Sequence, residues 1–181
     1  MRKVLFLLGQ MSDEDVEWLI DNGTRRNVPA GTELITQGGQ IENLYLLLQG
    51  TLEVSGTQMG DSAIRLESGE VVGEVSLLDS RPPTANVTAR TDCVVLEFTH
   101  QELREKLATD ESFAARFYQA LAVFLAYRLR NTYQRMGFGK DQNLDDQEFE
   151  GELSPEVLDS LHLAAKRFDR VLSRLLSGKG M

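Results

Sequence analysis

The chain has 181 residues and a mass of 20.3 kDa, which fits one domain with an appended segment and leaves no room for a large enzyme. Hydrophobic residues make up 41% and charged residues 26%, ordinary values for a chain with a packed core, so wholesale disorder is excluded. The 28 acidic and 19 basic side chains give a net charge of −9, the wrong sign for binding nucleic acid or an anionic membrane surface.

A short helix is predicted over residues 12–23. Ser12 is a suitable N-cap, three acidic residues follow it at the positive end of the helix, and Gly23 offers a stop. The apolar side chains of this segment share one face: Val16, Leu19 and Ile20.

Residues 24–98 consist of short apolar runs separated by glycine-containing turns. Strands are predicted near 33–36, 43–48, 51–55, 63–67 and 93–98. Many short strands at this spacing favour a small antiparallel barrel, β-roll or jelly roll.

Two helices are predicted after the last strand. The first begins at Thr99, forms a capping box with Glu102 and runs to about residue 107, and the second covers residues 110–136. The second helix is apolar on two neighbouring stripes, one with Phe113, Phe117 and Phe124 and the other with Tyr118, Leu121, Leu125 and Thr132. A face of this width is expected to cover the barrel with one side and to meet a second subunit, in a homodimer, with the other. The alternative is that both stripes pack within one chain.

The C-terminal part is predicted to be a linker and a helix. Residues 137–153 contain glycines and an acidic run, typical of a flexible linker between a domain at 1–136 and an amphipathic helix at 154–177. Ser154 is the predicted cap and Gly178 the predicted stop. The apolar seam of this helix repeats at three and four residues: Leu158, Leu161, Ala165, Phe168, Leu172 and Leu175. This seam either packs on its own barrel or dimer mate, or docks to another protein.

Residues 66–87 are the most informative stretch. Gly73 lets the backbone approach a ligand closely, and residues 74–78 can form a helical turn whose amides converge on an anion. The carboxylate of Glu74 repels phosphate, so its natural partner is a pair of hydroxyls, as on a ribose. The pattern indicates a recognition site of nucleotide size.

Over about residues 5–136 the chain resembles the cyclic nucleotide-binding domain family. The features that carry the resemblance occur in order: the turn at 29–31, Ile35 with Gly38, the run 45–50 followed by Leu52 and Val54, the Leu66, Gly69, Gly73 and Glu74 series, and the helix pair after the last strand. The resemblance implies a β-roll flanked by helices, with residues 73–87 as the phosphate-binding cassette. It also implies that Glu74 binds the ribose 2′-hydroxyl and that the amides near Val75 and Ser76 face the cyclic phosphate.

The cassette departs from the family pattern at the arginine that clamps the phosphate, because that position is Pro83. Proline donates no hydrogen bond, and losing a charge-assisted one weakens binding about tenfold to hundredfold. Candidates to contact the ligand instead are Arg81, Thr84 and the adjoining Ala85. Candidates for contact with the base lie at the end of the long helix: Arg128, Asn131, Tyr133 and above all Thr132.

Two functions remain open. One is a non-enzymatic regulatory module that binds cyclic AMP, cyclic GMP or another cyclic nucleotide and relays its state through the C-terminal helices to a partner. The other is a degenerate domain that binds no nucleotide and acts as a dimeric interaction module. Pro83 favours the second and the pair Gly73 and Glu74 favours the first. A DNA-binding regulator is not expected, since residues 137–181 offer only an acidic linker and one helix.

A metal enzyme and a secreted protein are not expected either. The two histidines fall in separate predicted helices, His100 as a surface or capping residue and His162 on an amphipathic helix, and no nucleophile and base occur together. Cys93, the single cysteine, lies in an apolar run and is interpreted as a packed thiol. No stretch approaches the roughly 18 apolar residues of a membrane span, so we expect a soluble, cytoplasmic protein.

Overall fold

Two four-stranded antiparallel sheets, five helices and one short helical turn make up the described part of the chain. The computed structural model describes residues 8–57, 63–135 and 155–176. One sheet has the order β1-β8-β3-β6 and the other the order β2-β7-β4-β5. The strands are β1 (Thr24–Val28), β2 (Glu33–Ile35), β3 (Asn43–Gln49), β4 (Thr51–Ser55), β5 (Ile64–Glu67), β6 (Val71–Val72), β7 (Asn86–Ala89) and β8 (Cys93–Thr99). The helices are α1 (Asp13–Asn22), α2 (Glu74–Asp79), α3 (His100–Thr109), α4 (Glu111–Arg135) and α5 (Pro155–Leu176), with a further short turn at 8–10. The expected fold class, a β-roll with flanking helices, is confirmed.

The β-roll has one apolar core between its sheets and another between one sheet and the helices. Strand β3 serves both, because Tyr45 and Leu47 point into the roll while Leu44, Leu46 and Leu48 pack against helices. Its continuous apolar run is what a strand covered on both faces requires. Cys93 is a buried free thiol inside the roll, as expected.

Three strands, β1, β6 and β7, are not predicted from the sequence, because they lack the apolar pattern that predicts the other five. Strand β1 exposes four of its five residues, and it forms because its backbone pairs with β8 from Thr24 opposite Glu97 to Val28 opposite Cys93. Strands β6 and β7 are short. Strand β6 ends just before the segment 73–87, and β7 begins at the end of this segment. All three depend on partners distant in the sequence, which side-chain alternation does not record.

The helix ends follow the predicted caps. Ser12 and Asp15 form a capping box at α1, and Thr99 and Glu102 form one at α3. On α4 the side chains of Phe113, Phe117 and Phe124 are buried against the sheet. Leu121 of the neighbouring stripe is buried in the same core and Leu125 packs against it, because α4 turns a wider face to the sheet than the three phenylalanines define. Tyr118 and Thr132 remain exposed.

Helix α5 packs against α1 of the same chain. Among its described side chains the buried apolar ones are Ala164, Phe168 and Val171, so the seam passes through Ala164 rather than the predicted Ala165. Arginines of α5 lie at helical spacing opposite acids of α1: Arg167 with Asp13 at 2.7 Å, Arg170 with Glu17 at 3.3 Å, and Arg174 with Glu17 and with Asp21, the latter at 3.2 Å. The predicted linker 137–153, the cap Ser154 and the stop Gly178 lie outside the described residues. Within the described ranges no helix is both long and apolar enough to cross a membrane.

We expect Phe168→Ala to lower the free energy of unfolding by about 3 kcal/mol, because it removes a buried ring between α5 and the core. Amide hydrogen exchange in residues 155–176 should accelerate at the same time. Leu163→Ala on the same helix is the control, since Leu163 is 42% exposed. Equal effects of the two changes would contradict the observed packing.

The ion pair between Asp15 and Arg116 predicts acid sensitivity. Burial raises the pKa of Asp15, but hydrogen bonds from Arg116 at 2.6 and 2.8 Å and from Ser12 outweigh it and leave the pKa below its ordinary value. A carboxyl whose pKa is lower in the folded state stabilises the fold at neutral pH and loses that effect as the pH falls through the folded pKa. Urea unfolding at pH 7 and pH 3 should therefore show a smaller acid-induced loss for Asp15→Asn than for the wild type. The exposed Glu14→Gln should keep the wild-type loss.

Candidate functional site

Segment 73–87 contains the short helix α2 and a loop that leads into β7. Gly73 is the N-cap of α2 and has a φ of 90°, a backbone conformation that residues with a side chain rarely adopt. A Cβ on Gly73 would lie 2.5 Å from the carbonyl oxygen of Asn43. Glycine is therefore required here for the backbone conformation and for the close approach of the segment to β3.

Glu74 begins α2 and its carboxylate is bound by an arginine from the long helix. The Glu74 side chain is 2% exposed, and its Oε1 accepts from Nη1 of Arg128 on α4. The other guanidinium nitrogen of Arg128, Nη2, donates to the carbonyl of Val71 at 2.9 Å and lies 3.7 Å from Oε2 of Glu70. The guanidinium also stacks over the ring of Phe124, 4.6 Å from its centroid. Arg128 thus joins α4 to the strand, turn and helix around Glu74.

The electrostatics of this cluster are set by two buried carboxylates around one guanidinium. Burial raises the pKa of Glu74, the neighbouring Glu70 carboxylate acts in the same direction, and Arg128 opposes both. The net pKa of Glu74 is above its ordinary value, so its ionised form depends on Arg128. A ligand with hydroxyl donors is the kind of group that can satisfy the same carboxylate.

The loop after α2 is held by hydrogen bonds that backbone amides donate. Ser80 ends the helix in the left-handed region with a φ of 58°, and the amide of Arg81 donates to Oδ1 of Asp79 at 3.0 Å. The carbonyl of Pro83 accepts from the amide of Gly38 at 2.8 Å, and Oδ1 of Asn86 accepts from the amide of Gln37 at 2.6 Å. Pro83 and Asn86 therefore fix the loop to the turn between β2 and β3.

The structure brings some of the sequence-predicted site residues together and separates others. Gly73 and Glu74 adjoin α4 through Arg128, whereas Thr132, one turn further on, is exposed and donates to the carbonyl of Arg128 at 2.9 Å. The remaining predicted residues lie along α2 and its loop: Val75 half exposed, Ser76 buried, Arg81 and Thr84 exposed, and Ala85 partly buried.

An open cavity of about 670 Å³ lies on the other side of α2, between the loop 39–42, the end of α2 and the start of α3. Ser76 and Arg81 line it, but Gly73 and Glu74 do not. His100 lines it as well and is only 5% exposed, so its interpretation as a surface or capping residue is wrong. The reason is that α3 starts beneath the loop 39–42, as the hydrogen bond of 2.6 Å from the amide of His100 to the carbonyl of Glu42 shows.

The pairing of Arg128 with Glu74 is the main feature that the sequence reasoning missed. Arg128 was identified there only as one of several polar residues near the end of the helix. A usable signal exists, since Arg128 follows Phe124 by four residues and so continues the buried stripe of α4 with a charge. A charge on a buried face requires a partner of opposite charge. Glu70 and Glu74, on either side of the glycine turn at Gly73, are candidates for that partner.

Comparison with known proteins points to one family. Residues 25–110 match the family model described as a cyclic nucleotide-binding domain. A relative in Escherichia coli O6:H1, the cAMP-activated global transcriptional regulator CRP, is 27% identical over 132 residues. The match covers 70% of this chain and 60% of that protein, so the chain spans only part of the relative's length.

Two further similarities extend this result. A cAMP-dependent protein kinase regulatory subunit of Yarrowia lipolytica is 36% identical over 87 residues, which cover 47% of this chain and 23% of that protein. The crystal structure of a cyclic nucleotide-binding domain from Methylobacillus flagellatus KT has the same fold, with a TM-score of 0.68 and 21% identity. That match covers 79% of this chain and 85% of the other.

We expect Arg128→Met to lower the free energy of unfolding at pH 7 by about 3 kcal/mol, because it leaves the Glu74 carboxylate buried without its cation. Chemical unfolding of this variant at pH 7 and pH 5 tests the prediction. The loss should shrink at pH 5, where Glu74 binds a proton more readily.

The double variant Arg128→Met with Glu74→Gln separates charge from packing. We expect it to recover most of the stability lost in the single variant, since no buried charge then remains on Glu74. Strictly additive effects of the two changes would contradict the ion pair.

Proposed function

We propose that this chain is a non-enzymatic regulatory module that binds a cyclic mononucleotide of the cyclic AMP or cyclic GMP type at segment 73–87. The observation that carries the proposal is the buried contact of Glu74 with Arg128. It connects the residue that the family pattern assigns to the ribose with the helix that leads out of the domain. Relatives that are named as regulators activated by or dependent on cAMP support the ligand class.

Binding and relay follow from the same contact. The ribose hydroxyls donate to Glu74 and take over an oxygen that Arg128 holds in the free protein. Arg128 then moves relative to Glu74, and because Arg128 joins α4 to Glu74 and to the carbonyl of Val71, this exchange changes how α4 is held against the cassette. A ligand shifts a conformational equilibrium only by binding one state better, and this exchange of partners supplies that difference.

The phosphate and the base have proposed partners as well. Amides at Val75 and Ser76 face the cyclic phosphate, and Arg81, Thr84 and Ala85 form the loop beside it. Arg128, once released from Glu74, supplies a cation that Pro83 does not. Thr132 is the proposed contact for the base, at the exposed end of α4.

The signal leaves through helices. We propose a domain at 1–136, a linker at 137–153 and a helix at 154–177 that acts on a protein partner in the cytoplasm. Homodimerisation through residues 110–136 is supported by the large apolar side chains that α4 exposes: Tyr118, Leu129 and Tyr133. The acidic net charge argues against direct nucleic acid binding by these residues and against a membrane surface as a partner.

A second candidate function is a domain of this fold that binds no nucleotide and serves as a dimeric interaction module. The specific observation in its favour is Pro83, which stands at the clamp position and whose carbonyl is used to hold the loop to Gly38. In this case the ion pair of Glu74 with Arg128 is a permanent structural element.

Calorimetric titration with cyclic AMP, cyclic GMP and cyclic di-GMP tests the proposal. We expect saturable binding to one of the mononucleotides, weakened about tenfold or more in Glu74→Gln because a charged acceptor is lost. Glu67→Gln is a matched control, since Glu67 is exposed on β5 and outside the segment 73–87. Arg81→Ala reports whether Arg81 contacts the phosphate.

The outcomes separate the two candidates. Binding that is weakened by Glu74→Gln and unchanged by Glu67→Gln supports the sensor. No heat with any of the three nucleotides up to about 1 mM, a concentration that reveals even weak affinity, overturns the sensor and favours the interaction module.

A further inference from the structure

Three parts of the chain enclose the cavity beside α2, and one of them belongs to segment 73–87. Loop 39–42 forms one wall, the end of α2 with the residues after it forms the second, and the first turns of α3 form the third. Its volume of about 670 Å³ is within the range of small-molecule sites. Since neither Gly73 nor Glu74 lines it, it is separate from the proposed ribose contact.

The imidazole of His100 is a buried polar group in the wall of this cavity. The backbone carbonyls of Gly73 and Asn43 accept hydrogen bonds from the ring, whereas Nε2 is buried and has no hydrogen-bond partner in the described part of the chain. Burial, together with the charge of Arg104, lowers the pKa of His100, so the ring is neutral at neutral pH. With Nδ1 donating to the backbone, Nε2 carries a lone pair and accepts a hydrogen bond. A ligand with a hydrogen-bond donor, such as a hydroxyl, therefore suits the wall of the cavity that His100 forms.

The rim of the same cavity is cationic. Arg81 and Arg104 both line it and are exposed, in a protein whose net charge is −9. Nη2 of Arg104 also lies 3.4 Å from the hydroxyl of Ser80 and from the carbonyl of Leu77, which holds the guanidinium at the end of α2. Ser80 itself is the one non-glycine residue with a positive φ in the described ranges, at 58°. Glu42 is the acidic residue that lines the cavity, and its carboxylate is a further acceptor for hydroxyls.

We propose that this cavity is a second ligand site, which binds a small hydroxylated organic anion. The anionic group lies between Arg81 and Arg104, and a hydroxyl donates to Nε2 of His100. Sugar phosphates and sugar acids share this chemistry, one with a phosphate and the other with a carboxylate. Both fit the volume and combine hydroxyls with a negative charge.

Titration of the ¹⁵N-labelled full chain with D-ribose 5-phosphate and with gluconate tests the site, followed by backbone amide shifts. We expect saturable shifts in residues 39–42, 76–82 and 99–104 with at least one probe, and the pair distinguishes phosphate from carboxylate. Neutral ribose and inorganic phosphate should each bind at least about tenfold more weakly, because each lacks half of the recognised chemistry.

Variants locate the site. Arg104→Met should raise the dissociation constant about tenfold. Arg65→Met is the matched control, since Arg65 is exposed on β5 and does not line the cavity, and it should leave the constant unchanged. The amide spectrum of each variant shows directly that it is folded.

Three results would overturn the proposal. The first is the absence of saturable shifts with both probes up to about 10 mM, a concentration that detects very weak binding. The second is equal weakening by Arg104→Met and Arg65→Met, which indicates nonspecific attraction. The third is loss of probe binding in Glu74→Gln, which places the probe at the cassette. Binding of ribose 5-phosphate that survives Glu74→Gln supports this site even where no cyclic nucleotide binds.

Discussion

The buried carboxylate of Glu74 is the constraint on which the arrangement of this domain depends. A charge removed from water costs several kcal/mol unless a partner and further hydrogen bonds offset it. Arg128 provides the partner, and it does so from a helix that starts well after the cassette in sequence. To reach Glu74, α4 has to lie across the glycine turn, with Phe124 beneath the guanidinium. The need to neutralise this carboxylate therefore adds a specific constraint on α4 to the apolar packing of Phe117, Leu121 and Phe124.

Ion pairs continue from α4 to the other helices. Arg116 binds Asp15 on α1, and α1 in turn meets α5 through the pair of Asp13 with Arg167. Arg116 and Arg128 are twelve residues apart on one helix, a distance of about 18 Å at 1.5 Å per residue. A rigid helix displaced at one of these arginines is displaced at the other. Continuous contact of this kind is the physical requirement for the proposed relay.

The features that the sequence predicted depend on residues close together in the chain, whereas the features it missed depend on residues far apart. The capping boxes at Ser12 and Thr99 and the apolar runs of the stronger strands depend on neighbours a few residues away, so local patterns predict them. Strand β1, the burial of His100 and the pairing of Arg128 with Glu74 depend on groups far along the chain. An exposed strand and a histidine next to a cap look the same in sequence whether or not a distant loop covers them. Similarly, the apolar seam of α5 passes through Ala164 instead of the predicted Ala165, because packing against α1 determines which face of this amphipathic helix is buried.

Pro83 links affinity to signalling under the proposed function. In a cassette with an arginine at this position, the phosphate has a cation of its own. Here the loop position offers no donor, and its carbonyl is already used by Gly38. The guanidinium nearest to Glu74 belongs to Arg128, which has to leave or share its carboxylate before it can compensate a phosphate. Tight binding then requires the exchange of partners that moves α4, so a nucleotide held without that exchange would be held weakly.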